Sequence, residues 1–116
     1  MPRFIFSYRY AKGRDPFADP SELAAWEAFL NDVVSPNVVD PGWPVFESST
    51  TVLGEAGEST HVGGYSVVTA DDRKTAVSMA GHCPNIGRGG GVEVGELAEL
   101  PPEHPAEQMR AGLSRA

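Results

Sequence analysis

A chain of 116 residues with 41% hydrophobic content is long enough for one domain around one core and too short for two. Nine basic residues against 16 acidic ones give a net charge of −7, which opposes sequence-independent attraction to nucleic acid or to an anionic membrane surface. Cys83 is the only cysteine, so an intrachain disulfide is excluded; with no signal-peptide pattern and no run near the roughly 20 apolar residues of a membrane span, the expected location is cytoplasmic.

Arg3-Phe4-Ile5-Phe6-Ser7-Tyr8-Arg9-Tyr10 alternates, with Phe4, Phe6, Tyr8 and Tyr10 on one face and Arg3, Ile5, Ser7 and Arg9 on the other. This predicts a first strand whose aromatic face meets the core. Residues 11–18 read as a loop. Asp19-Pro20-Ser21-Glu22 is a helix start, with Asp19 as cap, Pro20 at the first helical position and Glu22 where a capping-box carboxylate sits. Leu23, Trp26, Leu30 and Val33, widened by Phe29, predict an apolar stripe laid on a sheet, and Ser35-Pro36 ends the helix.

Residues 38–45 read as a loop, because Pro41, Pro44 and Gly42 do not sustain a paired central strand. Ser49-Thr50-Thr51-Val52-Leu53 is then expected as a short edge strand, and residues 54–60 as a polar turn. From His61 to Thr69 a strand follows, in which Gly63 and Gly64 allow a bulge or the close approach of another backbone. Asp71 or Thr69 can cap a helix from Asp72 to Ala80 that buries Ala76, Val77 and Ala80 and stops at Gly81. After a glycine-rich connection, Val92 to Leu100 alternates as the last strand. Residues 101–116 form a charged tail in which Ala106, Met109 and Leu113 make a weak helical stripe, so a short helix and disorder are both open.

The order β-α-β-β-α-β predicts an α+β, ferredoxin-like domain over residues 1–100, with a four-stranded antiparallel sheet and two helices on one face. The other face would expose Ile5, Val67 or Val68, and Leu97, at about 25 cal/mol per Å² of apolar surface. A homodimer in which two sheets face each other, a dimeric α/β barrel, is the expected remedy.

The chain resembles the YCII-related family of ferredoxin-like subunits that pair into dimeric α/β barrels. More narrowly it is similar to a bacterial subgroup patterned like Pro2-Arg3-Phe4-Ile5-Phe6-Ser7-Tyr8, Ala25-Trp26-Glu27-Ala28-Phe29 and Val38-Val39-Asp40-Pro41-Gly42-Trp43-Pro44. The pattern continues in Gly64-Tyr65-Ser66-Val67-Val68-Thr69-Ala70-Asp71, Cys83-Pro84 and Gly90-Gly91-Val92-Glu93-Val94-Gly95-Glu96. The resemblance spans most of the first hundred residues and omits the tail. It implies, for members proposed to be enzymes, a histidine-aspartate acid-base pair near the first helix. Here that helix has no histidine, and Gly54-Glu55-Ala56-Gly57 stands where many relatives carry Asp-Gly-Pro-Phe, so the pair does not carry over. Where the subgroup often has histidine this chain has Arg9, which binds anions and does not act as a base.

Six residues remain as site candidates. His61, Glu93 and Asp40 are the candidate catalytic groups, with imidazole best suited to acid-base work near neutral pH. Arg9, Tyr65 and Trp43 are the candidate substrate-binding groups. Arg9 and Glu93 share the face opposite the aromatic residues, on strands that neighbour each other in this topology; a pocket floor and a structural ion pair are the two readings. For Asp40 and Trp43 a pocket mouth stands against an Asx turn and a cover over the core edge. His61 is either a general base or an exposed strand-end residue. Cys83 follows a helix C-terminus, where the dipole disfavours a thiolate, and is expected to be buried and inert. His61, His82 and His104 have no metal-ligand spacing, and residues 87–91 lack the Lys-Ser/Thr of a phosphate cradle, so no metal and no cofactor are expected. Two function classes follow. One is a cofactor-free acid-base enzyme (lyase, isomerase, cyclase or hydrolase type) with its small molecule in a cavity between sheet faces; the other is a non-catalytic small-ligand binding or accessory protein.

Overall fold

The computed structural model describes residues 1–55 and 59–114. The strands are β1 (Arg3–Ala11), β2 (Val38–Asp40), β3 (Thr60–Thr69) and β4 (Gly91–Glu96), and the helices α1 (Pro20–Phe29), α2 (Arg73–Ala80) and α3 (Pro105–Ser114). All strand pairs are antiparallel, in the order β2-β3-β1-β4. This is the ferredoxin-like arrangement expected from the element order. The turn expected over residues 54–60 lies partly outside the described residues, as does the end of the tail. The described part of the tail carries α3, whose Met109 and Leu113 are exposed.

Phe4 and Phe6 are fully buried and Tyr8 nearly so, against Phe29, Val34, Val68, Ala76, Ala80 and Cys83. Each large apolar side chain buried in this way contributes about 1.5–3 kcal/mol. Trp26 closes this layer, edge-on to Tyr8 at 4.9 Å and to Phe29 at 5.7 Å. Ile5, Ser7 and Arg9 point the other way, across from Val67, Tyr65 and Val62 on β3. Tyr65 therefore lies on the sheet face away from the helices, a matter that alternation alone left open.

Four local expectations are corrected. The edge strand is Val38–Asp40, and residues 50–53 are irregular. Pro41 follows the strand without interrupting it, and three residues at an edge suffice for Val38 to pair with Val68 and Asp40 with Val67. The last strand stops at Glu96. Glu22 makes no capping box; it is wholly buried and takes both oxygens to the Arg14 guanidinium, at 2.9 and 2.7 Å, while Asp19 alone caps the helix through Ser21 N. Val77 is half exposed, and α2, capped by Asp72 through Thr75 N, buries Ala76 and Ala80.

One irregularity positions the candidate site. The β1–β3 register shifts after Tyr8, so that Tyr8 faces Gly64, Arg9 faces Val62 and Tyr10 faces His61, with Gly63 as the extra residue. The bulge reverses the parity of everything before it. His61, which plain alternation would place beside Tyr65, lies instead on the helix side. Only glycine fits at the bulge, since a Cβ at Gly63 would stand 2.2 Å from the Tyr10 ring.

Candidate functional site

The stripe of α1 divides. Phe29 enters the core, while Leu23, Trp26 and Leu30 face a cavity of about 470 Å³ bounded by β1, β3 and residues 41–44. A π turn, Leu30–Val34, continues the helix and turns Val34 inward beside Leu30. Such widened turns often border functional sites. Trp43, 75% exposed, stands at the mouth. Both tryptophans of the chain thus border one cavity, whose size is in the ordinary range for small-molecule sites.

The loop carrying Trp43 is fixed from both sides. Asp40 Oδ1 accepts from Gly42 N at 2.8 Å, the Asx turn anticipated as the structural reading. Gly42 has φ +76°, and a Cβ there would lie 1.6 Å from the Tyr65 carbonyl oxygen. Val45 N donates to Gly63 O at 2.9 Å. Beneath the loop, the Tyr8 hydroxyl donates to Ser66 Oγ at 2.8 Å, and Ser66 donates to Pro41 O at 2.9 Å. Burial pushes the Tyr8 phenol up to about 12, so it remains a donor committed to the scaffold.

A second chamber of about 350 Å³ adjoins the first and shares Tyr10, Pro16, Phe17, Pro44 and Gly63 with it. The Phe17 and Phe46 rings meet at 5.8 Å at its edge. His61 forms its back wall, stacked on Tyr10 at 5.9 Å, with Tyr10 stacked in turn on Trp26 at 5.9 Å. His61 Nε2 is 4.0 Å from Glu47 Oε2, which also accepts from Gly13 N at 3.0 Å. His61 Nδ1 is buried without a hydrogen-bond partner, which leaves Nε2 as the nitrogen that faces Glu47.

The six candidates separate onto two sides of the sheet. Arg9 and Glu93 meet at 3.3 Å on the face without helices, and Arg9 also donates from Nε to Thr60 Oγ1 at 2.9 Å. The Tyr65 hydroxyl donates to Asp40 Oδ2 at 3.3 Å. Tyr65 and Glu93 flank Ser7 in one row across the strands. His61 is excluded from this group by the bulge and Trp43 by its loop, so the described residues do not gather all six around one cavity of a single chain. Glu47, Tyr10, Trp26, Phe17 and Phe46 were not singled out, and the stripe assigned to α1 was the one available signal, through Trp26.

A further concavity of about 470 Å³ lies between the π turn and α2, but Asp32, Lys74, Ser78 and His82 line it with exposed side chains. Cys83 is buried and its thiol pushed up by burial, as expected of an inert cysteine. Among the described residues no group of three or more His, Cys, Asp or Glu is placed to hold a metal ion, and no helix is long and apolar enough to cross a membrane.

No family model and no curated protein matches the chain. Among solved structures it is similar to 5-chloro-2-hydroxyhydroquinone dehydrochlorinase (TftG) from Burkholderia phenoliruptrix AC1100, in complex with 2,5-dihydroxybenzoquinone. The TM-score is 0.55 at 16% identity, over 84% of this chain and 95% of that one. The likeness establishes a related fold; it does not establish the YCII family.

Proposed function

We propose that this protein binds a small ring-bearing molecule in the cavity between α1 and the sheet. The observation that carries the reading is that Leu23 and Leu30 turn toward a cavity, which they line together with the outer side of the core-packed Trp26, under a loop that holds Trp43 over its mouth. Apolar walls with few polar groups are what a site for a flat ligand requires. The similarly folded dehydrochlorinase, which acts on a hydroxylated ring and was solved with a dihydroxybenzoquinone, supports that ligand class.

The finer reading is cofactor-free acid-base catalysis with His61 as the proton-moving group and Glu47 as its orienting carboxylate. Their 4.0 Å separation exceeds a hydrogen bond, so a ligand hydroxyl can approach both. Asp40, engaged by Gly42 N and by Tyr65, and Arg9, held by Thr60 and Glu93, then serve the scaffold. Those same commitments favour the second reading, a non-catalytic ligand-binding or accessory protein. In either case the protein is a cytoplasmic homodimer joined through the sheet face that carries Ile5 and Val67. Hydroxylated benzenes and quinones titrated against intrinsic tryptophan fluorescence test the site. Saturable quenching that weakens in Trp43→Ala supports it, and no response from any ring compound at millimolar concentration removes it.

A further inference from the structure

The two joined chambers differ in character. The first is walled by Leu23, Trp26, Leu30 and Trp43; the second carries charge. Three formally charged side chains line the second chamber, namely Arg14, Asp15 and Glu47. Arg14 is already paired, one N–H from each of its two terminal nitrogens going to the buried carboxylate of Glu22 at 2.9 and 2.7 Å, which offsets its charge. Among the described residues Asp15 and Glu47 have no cationic side chain of their own, apart from His61 at 4.0 Å from Glu47. The chamber is thus net negative, within a chain of net charge −7.

Resting on the ring-binding reading, we propose that the ligand is a ring whose polar end is a neutral hydroxyl or an amine, and that Glu47 rejects carboxylated rings. A hydroxyl or an amine N–H donates to Glu47 while its ring lies against the aromatic wall. A carboxylate in the same position meets a like charge while the Arg14 charge is already offset by Glu22, and such a mismatch is costly. Selectivity here comes from repulsion as much as from attraction.

Calorimetric titration of the whole protein with hydroquinone, 4-aminophenol and 2,5-dihydroxybenzoate tests the inference. The first two are expected to bind at least about tenfold more tightly than the third, and Glu47→Gln to narrow that ratio to within about threefold. Glu47 is at the surface and its replacement leaves the core intact, so folding does not confound the comparison. Equal binding of all three, tighter binding of the carboxylate, or an unchanged ratio in Glu47→Gln overturns the charge selectivity while leaving the cavity as a ring site. Absence of binding by every compound, in wild type and variant alike, overturns the selectivity together with the ring-binding reading.

Discussion

The rings of Tyr10 and His61 lie stacked at 5.9 Å on the helix side of the sheet, although His61 and Tyr65 are four residues apart on one strand and Tyr65 faces the opposite way. The single extra residue, Gly63, produces both facts. Gly63→Ala places a methyl within 2.2 Å of Tyr10 Cδ2, and overpacking of this kind destabilises by about 1–3 kcal/mol. Gly95→Ala, whose Cβ would make an ordinary 3.5 Å contact with Ile5, should lose less. Urea unfolding of the two variants decides the matter, and Tyr10→Leu should recover part of the Gly63→Ala loss because the clash is with that ring. Equal losses in the two glycine variants would show that the bulge does not depend on close approach.

How far the chain could be read follows from which physical signals are local. The aromatic alternation of β1, the Asp19-Pro20 helix start and the alternation of residues 92–96 are each written in a few consecutive residues, and they place the sheet and α1 correctly. The pairing of Arg9 with Glu93 was legible because topology makes β1 and β4 neighbours. The edge strand was displaced because Pro41 bounds Val38–Asp40 instead of breaking it, while the β-branched run Thr50-Thr51-Val52 has no partner strand among the described residues. The side taken by His61 was not legible, because a bulge reverses parity and the paired glycines that signal a bulge do not state which side the preceding residues take. Glu47 reaches His61 from a loop 14 positions upstream, a distance at which no spacing rule operates.

Glu22 and Arg14 form the pair most exposed to a single substitution. Removing Arg14 leaves a carboxylate in the core without its partner, which costs about 3–5 kcal/mol where both charges are deeply buried. The Arg14 side chain is 30% exposed, and water can reach the vacated space, so Arg14→Ala should lose less than that, about 2–3 kcal/mol. Glu22→Leu combined with Arg14→Met should be more stable than Arg14→Ala, because no buried charge remains. Thermal unfolding of the three proteins tests this, and a loss below about 0.5 kcal/mol in Arg14→Ala would place the pair among ordinary surface ion pairs.

Stability should fall in acid through the two helix caps. The Asp19 carboxyl is held below its ordinary 3.8 by the Ser21 hydroxyl and backbone N–H, and Asp72 by the Thr75 N–H. A carboxyl depressed in the folded state stabilises above its unfolded value, and that stabilisation is lost as pH falls through the folded value. The melting temperature should therefore drop as pH goes from about 5 to about 2.5, through and below the unfolded aspartate range. Asn can still accept from the helix N–H groups but does not titrate. Asp19→Asn with Asp72→Asn should accordingly flatten this part of the profile while retaining both helices by circular dichroism. A profile as steep as that of wild type would assign the acid sensitivity to other carboxylates.

The sheet face without helices carries Ile5, Val62 and Val67 around the Arg9–Glu93 pair, and in the proposed homodimer it meets its own copy. Light scattering should then give twice the 12.3 kDa chain mass. Val67→Lys should return the protein to monomer, since it puts a charged side chain where the joint would bury an apolar one and the two-fold relation doubles each such defect. Its neighbours Ile5 and Val62 lie on the same outward side, away from Phe4 and Phe6, so circular dichroism and the unfolding transition of the monomer should remain cooperative. Leu113→Lys in the exposed stripe of α3 distinguishes the sheet from the tail as the joining surface, because it should leave the dimer intact. A dimer lost in Leu113→Lys and kept in Val67→Lys would move the interface to α3, and a wild type that scatters as a monomer at every concentration would remove the barrel.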